Sequence, residues 1–344
     1  MERSRMPTPV AVNENLLNWV DLRDIGWPDL LLGNGFSINI HEGFWYDNLK
    51  EVACRPVIGE PLLEESKALF DAYTTTNFED VLKSIYHAMQ VDECLGLGQI
   101  AHISETYENI KNSLASAVNY AHVPEGFSSA NTISDELAKF TNVYTTNYDL
   151  IPYWSIMSKG TNRFRDFFWG AVFDSSNVDV WGGATSIHYL HGGLHLVENL
   201  EGDTIKRRSN GLSSLRDLFD VAEPNLFPLF ITEGHWKKKL TKIKGNDYLN
   251  FCFSKFAYVY NSNLLVLGHS LHAEYDQHIV EAIKRSNRRR VAVSVWPGLS
   301  PMQRINFKAR LLQDMQGTNI KLYFFDSTTH PLTSAAMRNV KIEF

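Results

Sequence analysis

The sequence DLLLGNGFS, residues 29–37, joins a short apolar run to a glycine-rich turn. The run is continuous rather than alternating, which is typical of a strand covered on both faces in a parallel sheet. It ends at Gly33 and Gly35, and glycines at that end of a strand allow a tight turn and a close approach of the backbone to a ligand. This stretch predicts the first strand of an α/β fold, with a binding turn directly after it.

Four further apolar runs have the same character, because each is brief and most end in turn residues. Patterns typical of helices follow two of them, at residues 270–286 and 302–316. Alternating strands and helices are the signature of a doubly wound parallel sheet, so the sequence predicts a Rossmann-like α/β fold. The four additional strands are expected at residues 142–146, 263–267, 290–296 and 319–325.

The first two predicted strands lie about a hundred residues apart, far more than one crossover needs. Apolar residues recur there at spacings of three and four, so we expect a helical insertion at residues 55–139. The core then comprises residues 25–54 and 140–344. Within the core, residues 200–250 are polar and basic, which indicates a surface excursion. The helical patterns of the insertion lie at residues 61–90 and 100–121.

Composition excludes several classes of protein. The 344 residues are 44% hydrophobic and 21% charged, which is ordinary globular usage. The net charge of −6 disfavours direct nucleic-acid binding. No stretch of about 18 apolar residues is present, so no membrane span is expected. The three cysteines form no paired motif, which indicates neither a disulfide framework nor a cysteine zinc site, and we expect a protein of the reducing cytoplasm.

The turn after the first strand favours a phosphate ligand, because Gly33 and Gly35 let the backbone approach it and Ser37 lies in the helix that follows. Ile38 replaces the third glycine of the usual dinucleotide fingerprint, which disfavours an ordinary dehydrogenase site. The alternative is a tight turn that needs glycine for backbone reasons alone.

Two other predicted strand ends carry polar side chains. Asn147 and Asp149 follow the second strand, and the alternative to a binding role there is a helix cap. Gly268 and Ser270 follow the third strand, where a small residue and a hydroxyl suit a phosphate or a ribose. A bare turn with a serine cap is the alternative at that position.

Three histidines occur in the segment HYLHGGLH, residues 188–195. Their spacing resembles a helical metal face, but two glycines inside the segment disfavour a helix, and no metal is expected. His191 stands beside the glycines and is the best-placed acid–base residue, whereas His188 and His195 are expected to be structural or partly exposed.

Taken in order, GNGFS at 33–37, TTNYD at 145–149, LHGG at 190–193 and GHSL at 268–271 resemble the Sir2-like NAD-binding family. The spacing and the insertion are most similar to its bacterial anti-phage defence branch. The resemblance implies a Rossmann-type core, NAD as substrate, and Asn147 and His191 as catalytic residues. It places the following residues around the cofactor: Gly33, Gly35, Ser37, Asp149, Gly268 and Ser270.

Protein-deacylating sirtuins carry a zinc ribbon with two paired-cysteine motifs, and this chain has none. The resemblance therefore favours simple NAD hydrolysis, giving nicotinamide and ADP-ribose, as an effector that depletes NAD. It also implies an off state controlled by a homo-oligomer or by a partner such as a HerA-type ATPase. We hypothesise that the insertion walls one side of the pocket and carries the contacts that switch activity.

Nicotinamide leaves NAD as a neutral molecule, so no general acid is needed. Asn147 is expected to orient the ribose or the water, Asp149 to bind the carboxamide, and His191 to take a proton. Three alternatives remain open: protein deacylation or ADP-ribosyl transfer, a non-catalytic module that binds NAD or ADP-ribose, and an α/β domain without a nucleotide.

Without paired cysteines, the purified protein is expected to contain no structural zinc. Elemental analysis checks this directly. About one zinc ion per chain would contradict the prediction and would favour the deacylase alternative.

Overall fold

The computed structural model describes residues 12–41, 44, 49–121, 123, 125–179, 184–207, 225–231, 235–259 and 261–338. It is a Rossmann-like α/β fold with a central parallel sheet of seven strands, in the order β10-β9-β8-β1-β2-β4-β3. A smaller antiparallel sheet has the order β6-β5-β7. The strands are β1 (Asp29–Leu32), β2 (Asn142–Thr145), β3 (Phe164–Arg165), β4 (Thr185–Tyr189), β5 (Gly192–Glu198), β6 (Thr204–Lys206), β7 (Phe227–Phe230), β8 (Asn263–Leu267), β9 (Arg290–Val295) and β10 (Lys321–Asp326).

Helices cover the parallel sheet and fill the long connection between β1 and β2. In chain order, the α-helices of the described residues are α1 (Asn34–Ile40), α2 (Leu49–Ala53), α3 (Glu64–Ala72), α4 (Phe78–Leu95), α5 (Ile100–Ala121), α6 (Ala130–Leu137), α7 (Ile151–Ser158), α8 (Trp236–Gly245), α9 (Asp247–Ala257), α10 (Ala273–Arg285) and α11 (Pro301–Asp314). None of these helices is long and apolar enough to cross a membrane.

All five predicted strands are present, with ends that differ from the prediction by two residues at most. β1 lies between β2 and β8, and all four of its residues are buried. Its leucines therefore pack on both faces of the sheet, as the continuous apolar run predicts. The sequence did not predict β4, because its residues TSIHY are mostly polar although all five are buried.

Two helix predictions need correction. The pattern at 61–90 is two helices, α3 and α4, separated by a turn in which Thr74 has a φ of 51°. The helix predicted from residue 270 begins three residues later, because Leu271 has a φ of 50° and the His272 side chain caps α10. The helix expected at 100–121 is α5.

The insertion contacts the small sheet through α4. Lys83 forms an ion pair with Glu198 of β5, and the Tyr86 ring lies 5.6 Å from the Phe227 ring of β7. Just after β7, the Ile231 backbone N–H donates to the His191 carbonyl at 2.7 Å. The small sheet thus links the insertion to the predicted site.

The predicted surface excursion at 200–250 contains both exposed residues, among them Glu201 and Lys238, and buried ones. Phe227 and Leu229 of β7 are fully buried, so this part packs in the core. Residues 208–224 and 232–234 of the same segment lie outside the described residues.

The loops after β1 and β8 cross in direct backbone contact. The Gly35 N–H donates to the Gly268 carbonyl at 2.8 Å. Gly268 has a φ of 66°, and a Cβ there would lie 2.2 Å from the Phe36 nitrogen. The crossing therefore requires glycine at 268 for both conformation and space.

Gly268→Ala is expected to lower the free energy of unfolding by more than about 2 kcal/mol, because the new Cβ meets backbone as well as a strained φ. Urea denaturation measures this. Gly317→Ala is the matched control, since Gly317 has a φ of 82° with open space around it, and should lose only about 1 kcal/mol. Equal decreases in the free energy of unfolding of the two variants would show that the two loops do not pack as closely as described.

Candidate functional site

The carboxyl ends of the parallel strands meet at one edge of the sheet, and the strand order changes direction between β1 and β8. Ligands of open parallel sheets bind at such switch points. The loops after β1, β2, β4 and β8 carry the predicted site residues, so the fold brings all four segments to this edge.

Asn147 is held by hydrogen bonds that fix its side-chain amide. Its Nδ2 donates to the Gly33 carbonyl at 3.0 Å and to Ser37 Oγ at 2.8 Å. Because the Gly33 oxygen is only an acceptor, the amide nitrogen must face it, and Oδ1 points elsewhere. Within the described part of the chain, Asn147 Oδ1 accepts no hydrogen bond. The site therefore holds a fixed, nearly buried amide with one open acceptor.

Asp149 continues this hydrogen-bond chain. Ser37 Oγ donates to one carboxylate oxygen, and the Ile151 backbone N–H donates to the other at 2.9 Å, at the start of α7. Burial raises the pKa of Asp149 to about 6, although these hydrogen bonds favour the charged form. Its carboxylate thus accepts a hydrogen bond at the start of α7, where Leu150 is the N-cap residue, and also supports Ser37.

His191 lies in the turn between β4 and β5 and is 3% exposed. Its Nε2 is 3.0 Å from Nε2 of His278. Burial lowers the pKa of His191 well below its ordinary 6.5, and the positive charge of Lys239 lowers it further, while a backbone hydrogen bond with Thr146 raises it. The imidazole is therefore neutral at pH 7.

Asn147 and His191 are connected through the end of β2. Thr146, whose backbone bonds His191, directly precedes Asn147. The two residues that the sequence singles out for catalysis thus share one support at the end of β2.

The glycines and Ser270 have different positions. Gly33, Gly35 and Gly268 lie in the loop crossing, where they pack against one another as well as beside Asn147. Ser270 is exposed, and its carbonyl accepts a hydrogen bond from Arg310 at 2.6 Å. No hydrogen bond joins its hydroxyl to the Asn147 group among the described residues.

His188 and His195 pack in the core. His188 stacks on Tyr144 with ring centres 4.8 Å apart, and His195 stacks on Tyr153 at 4.7 Å. Burial lowers the pKa of His188 to about 3. Both histidines are therefore structural, and neither is partly exposed, which was the other expectation for them.

Two residues on α10, Asp276 and His278, have no role in the predictions from sequence. Among the described residues, they form with His191 a group of potential metal ligands whose donor atoms lie within 4.8 Å of one another. Lys239 Nζ lies 3.3 Å from the Asp276 carboxylate. Asp276 therefore already pairs with Lys239, and a divalent cation there would meet an ammonium group, so the donor set suits acid–base chemistry better than a metal.

A cavity of about 300 Å³ lies elsewhere, between the end of α7 and the segment around β3. None of the predicted site residues lines it; its walls include Arg165, Trp169 and Lys206. We therefore base the candidate site on the strand-end chemistry rather than on this cavity.

Asp149→Asn is expected to change how stability depends on pH. The pKa of Asp149 in the folded protein, about 6, exceeds its ordinary 3.8, so the folded state binds more protons between these values and loses stability as pH rises. Asparagine has no ionisable group, so the variant does not lose stability for this reason as pH rises. The free energy of unfolding of the variant minus that of the wild type should rise by up to about 3 kcal/mol from pH 4 to pH 7.

Urea denaturation across this pH range gives the difference, and any pH-independent loss of a hydrogen bond cancels in it. Asp203→Asn, which removes an exposed carboxylate from a turn, serves as the control. A flat difference for Asp149→Asn would contradict the raised pKa.

The sequence from residue 30 to residue 332 matches the family described as Domain of unknown function (DUF4917). No curated protein matches the chain. The match includes every predicted site residue, as well as Asp276 and His278. Because it spans most of the chain, the protein belongs to the DUF4917 family.

Proposed function

We propose that this protein hydrolyses NAD to nicotinamide and ADP-ribose, as a cytoplasmic effector that depletes NAD in anti-phage defence. One observation carries the proposal: the loops at the switch point of a parallel sheet hold a fixed Asn147 amide with an open Oδ1 and, through the neighbouring Thr146, a buried neutral histidine group. The resemblance of the four strand-end segments to the Sir2-like family supports NAD as the substrate.

The proposed chemistry needs few groups. The nicotinamide ring of NAD carries a positive charge, so it leaves as a neutral molecule without a general acid. What remains is to orient the ribose and the attacking water, to stabilise an oxocarbenium-like ribose, and to take one proton from the water. An amide oxygen and an unprotonated imidazole are suited to these tasks.

Asn147 Oδ1 supplies the orienting acceptor in this proposal. Two hydrogen bonds hold the amide, so a ribose hydroxyl or water that donates to Oδ1 meets a group whose position is already fixed. Ser37 and Asp149 contribute by supporting Asn147, because both carboxylate oxygens of Asp149 already accept hydrogen bonds within the chain. We therefore replace the sequence-based role of Asp149, carboxamide binding, with a supporting one.

The histidine group supplies the base. Because the pKa of His191 lies well below 6.5, its ring is uncharged and able to take part in proton transfer at neutral pH.

The glycines of the loop crossing and Ser270 are proposed to face the cofactor phosphates and ribose, as the resemblance implies. Activity would be controlled by a homo-oligomer or by a partner such as a HerA-type ATPase.

The alternative reactions use the same bond cleavage but a different acceptor. Deacylation or ADP-ribosyl transfer needs a second substrate, whereas hydrolysis gives nicotinamide and ADP-ribose in equal amounts from NAD alone. A module that only binds NAD or ADP-ribose would release no nicotinamide.

Asn147→Ala and His191→Ala are each expected to slow nicotinamide release from NAD by about 100-fold or more, since each removes a positioned group of the reaction. The measurement is free nicotinamide against time, after circular dichroism has established that each variant is folded. Asn39→Ala and His188→Ala are matched controls: Asn39 bonds the Ser334 backbone and His188 stacks on Tyr144, both outside the proposed chemistry.

Near-normal turnover in folded Asn147→Ala and His191→Ala would remove both residues from the mechanism. Comparable losses in the two controls would show that the assay reports stability rather than catalysis.

A further inference from the structure

The contact between His191 and His278 fixes where their protons lie. A backbone hydrogen bond with Thr146 raises the pKa of His191, which indicates that a ring N–H of His191 faces the Thr146 carbonyl. With both rings neutral and Nε2 facing Nε2 at 3.0 Å, one nitrogen donates and the other accepts. Since Nε2 of His191 faces His278, we assign the proton of His191 to its other ring nitrogen, which leaves Nε2 to accept the proton of His278.

This assignment leaves one open lone pair in the pair of rings. The lone pair of His191 Nε2 is already occupied by His278. Nδ1 of His278 is buried and has no hydrogen-bond partner among the described residues. A buried polar atom without a partner is unfavourable, so a ligand hydroxyl or water placed against it would gain a hydrogen bond that the chain itself does not make.

Charge also favours His278 over His191 as the ring that gains a proton. Burial lowers the pKa of His278 to about 4, but the Asp276 carboxylate acts in the opposite direction. For His191 the largest effect of a neighbouring charge is that of Lys239, which lowers the pKa. The groups that face His278 are Asp276 on its own helix, Lys239 on α8, His269 in the loop after β8, His191, and the Phe253 ring of α9 at 6.0 Å.

The backbone of α10 is distorted at Asp276, and this distortion allows Asp276 and His278 to lie on the same side of the helix. Residues two apart in a regular helix point about 200° away from each other, so Asp276 and His278 would face opposite sides. Asp276 has a φ of −134° and a ψ of 24°, which breaks the helix and lets both side chains approach His191. Distorted backbone maintained in a packed region is typical of functional sites.

We propose that His278 Nδ1 is the proton acceptor of the reaction and that His191 is the residue that positions His278. This inference rests on the proposed hydrolysis of NAD. The bond between ribose C1′ and nicotinamide breaks, and its electron pair leaves with the nicotinamide nitrogen. A water lone pair forms the new bond to C1′, and the proton of that water passes to His278 Nδ1. Asp276 stabilises the resulting imidazolium, which then releases the proton to solvent.

Glutamine variants separate the two roles. In His191→Gln, the amide oxygen can still accept the His278 Nε2–H, so this variant should recover at least 10-fold over His191→Ala. In His278→Gln, the amide can still donate to His191 but cannot take a proton. It should therefore be as slow as His278→Ala, about 100-fold below wild type. The opposite pattern, with His278→Gln restored and His191→Gln inactive, would make His191 the base and overturn the proposal.

The pH profile of nicotinamide release gives a second readout. Activity falls at low pH as His278 becomes protonated, through a pKa of about 4. The acid limb of the profile is the pH range in which activity falls for this reason. Lys239→Met removes a positive charge facing His278, so the acid limb should move to higher pH by about 1 unit. Lys238→Met, an exposed neighbour on α8, is the control and should leave the limb in place. An unmoved limb in Lys239→Met would contradict the role of His278.

Histidine side-chain NMR tests the inference without any turnover. In protein labelled with ¹⁵N-histidine, His278 should carry its proton on Nε2 and His191 on the other nitrogen, and His278 should gain a proton at higher pH than His191. His278→Gln and His191→Gln assign the signals. If the wild type releases no nicotinamide, the proposed function fails, while these spectra still decide the proton assignment. A reversed pattern or a reversed order of titration would refute the proposal for His278.

Discussion

The crossing of two backbone loops at the ends of β1 and β8 determines the geometry of the candidate site. Gly35 and Gly268 approach so closely that a side chain at either would meet backbone atoms. The hydrogen bond between them fixes the start of α1 relative to the loop that leads into α10. Ser37 thereby lies within hydrogen-bond distance of Asn147. The chain beyond Gly268 leads into α10, where His278 contacts His191. The positions of the polar side chains thus depend on a contact made by backbone alone.

The chemistry at this edge depends on burial as much as on residue type. Asn147, Ser37 and Asp149 form a continuous hydrogen-bond chain with little contact with water, so each group fixes the next and interactions among them are strong. The same burial keeps the histidines uncharged at neutral pH. The Lys239–Asp276 ion pair balances charge beside them without adding a net charge to the interior.

Patterns with a clear physical origin could be predicted from the sequence. Continuous apolar runs located five strands of the parallel sheet, and the convergence of their carboxyl ends brought Gly33, Ser37, Asn147 and Asp149 together. β4 was missed because a strand that buries Thr, Ser and His has no apolar run. Asp276 and His278 were given no role because their spacing of two matches neither a helical face nor a metal motif, and only the break in α10 makes them neighbours.

Tertiary context also changed the interpretation of single residues. The sequence suggested that Asp149 binds a ligand, yet its carboxylate accepts the Ile151 N–H at the start of α7 and supports Ser37. Ser270 looks like a helix start, but the left-handed backbone of Leu271 delays α10 and leaves Ser270 exposed. Local propensity cannot reveal such shifts, because they follow from contacts between segments distant in sequence.

The most direct test of the account is the fate of NAD incubated with the wild-type protein in water labelled with oxygen-18. Hydrolysis at C1′ predicts equal amounts of nicotinamide and ADP-ribose, with the label incorporated into the ADP-ribose. Intact NAD under conditions in which the protein is folded, or nicotinamide release without labelled ADP-ribose, would contradict hydrolysis by water at this site.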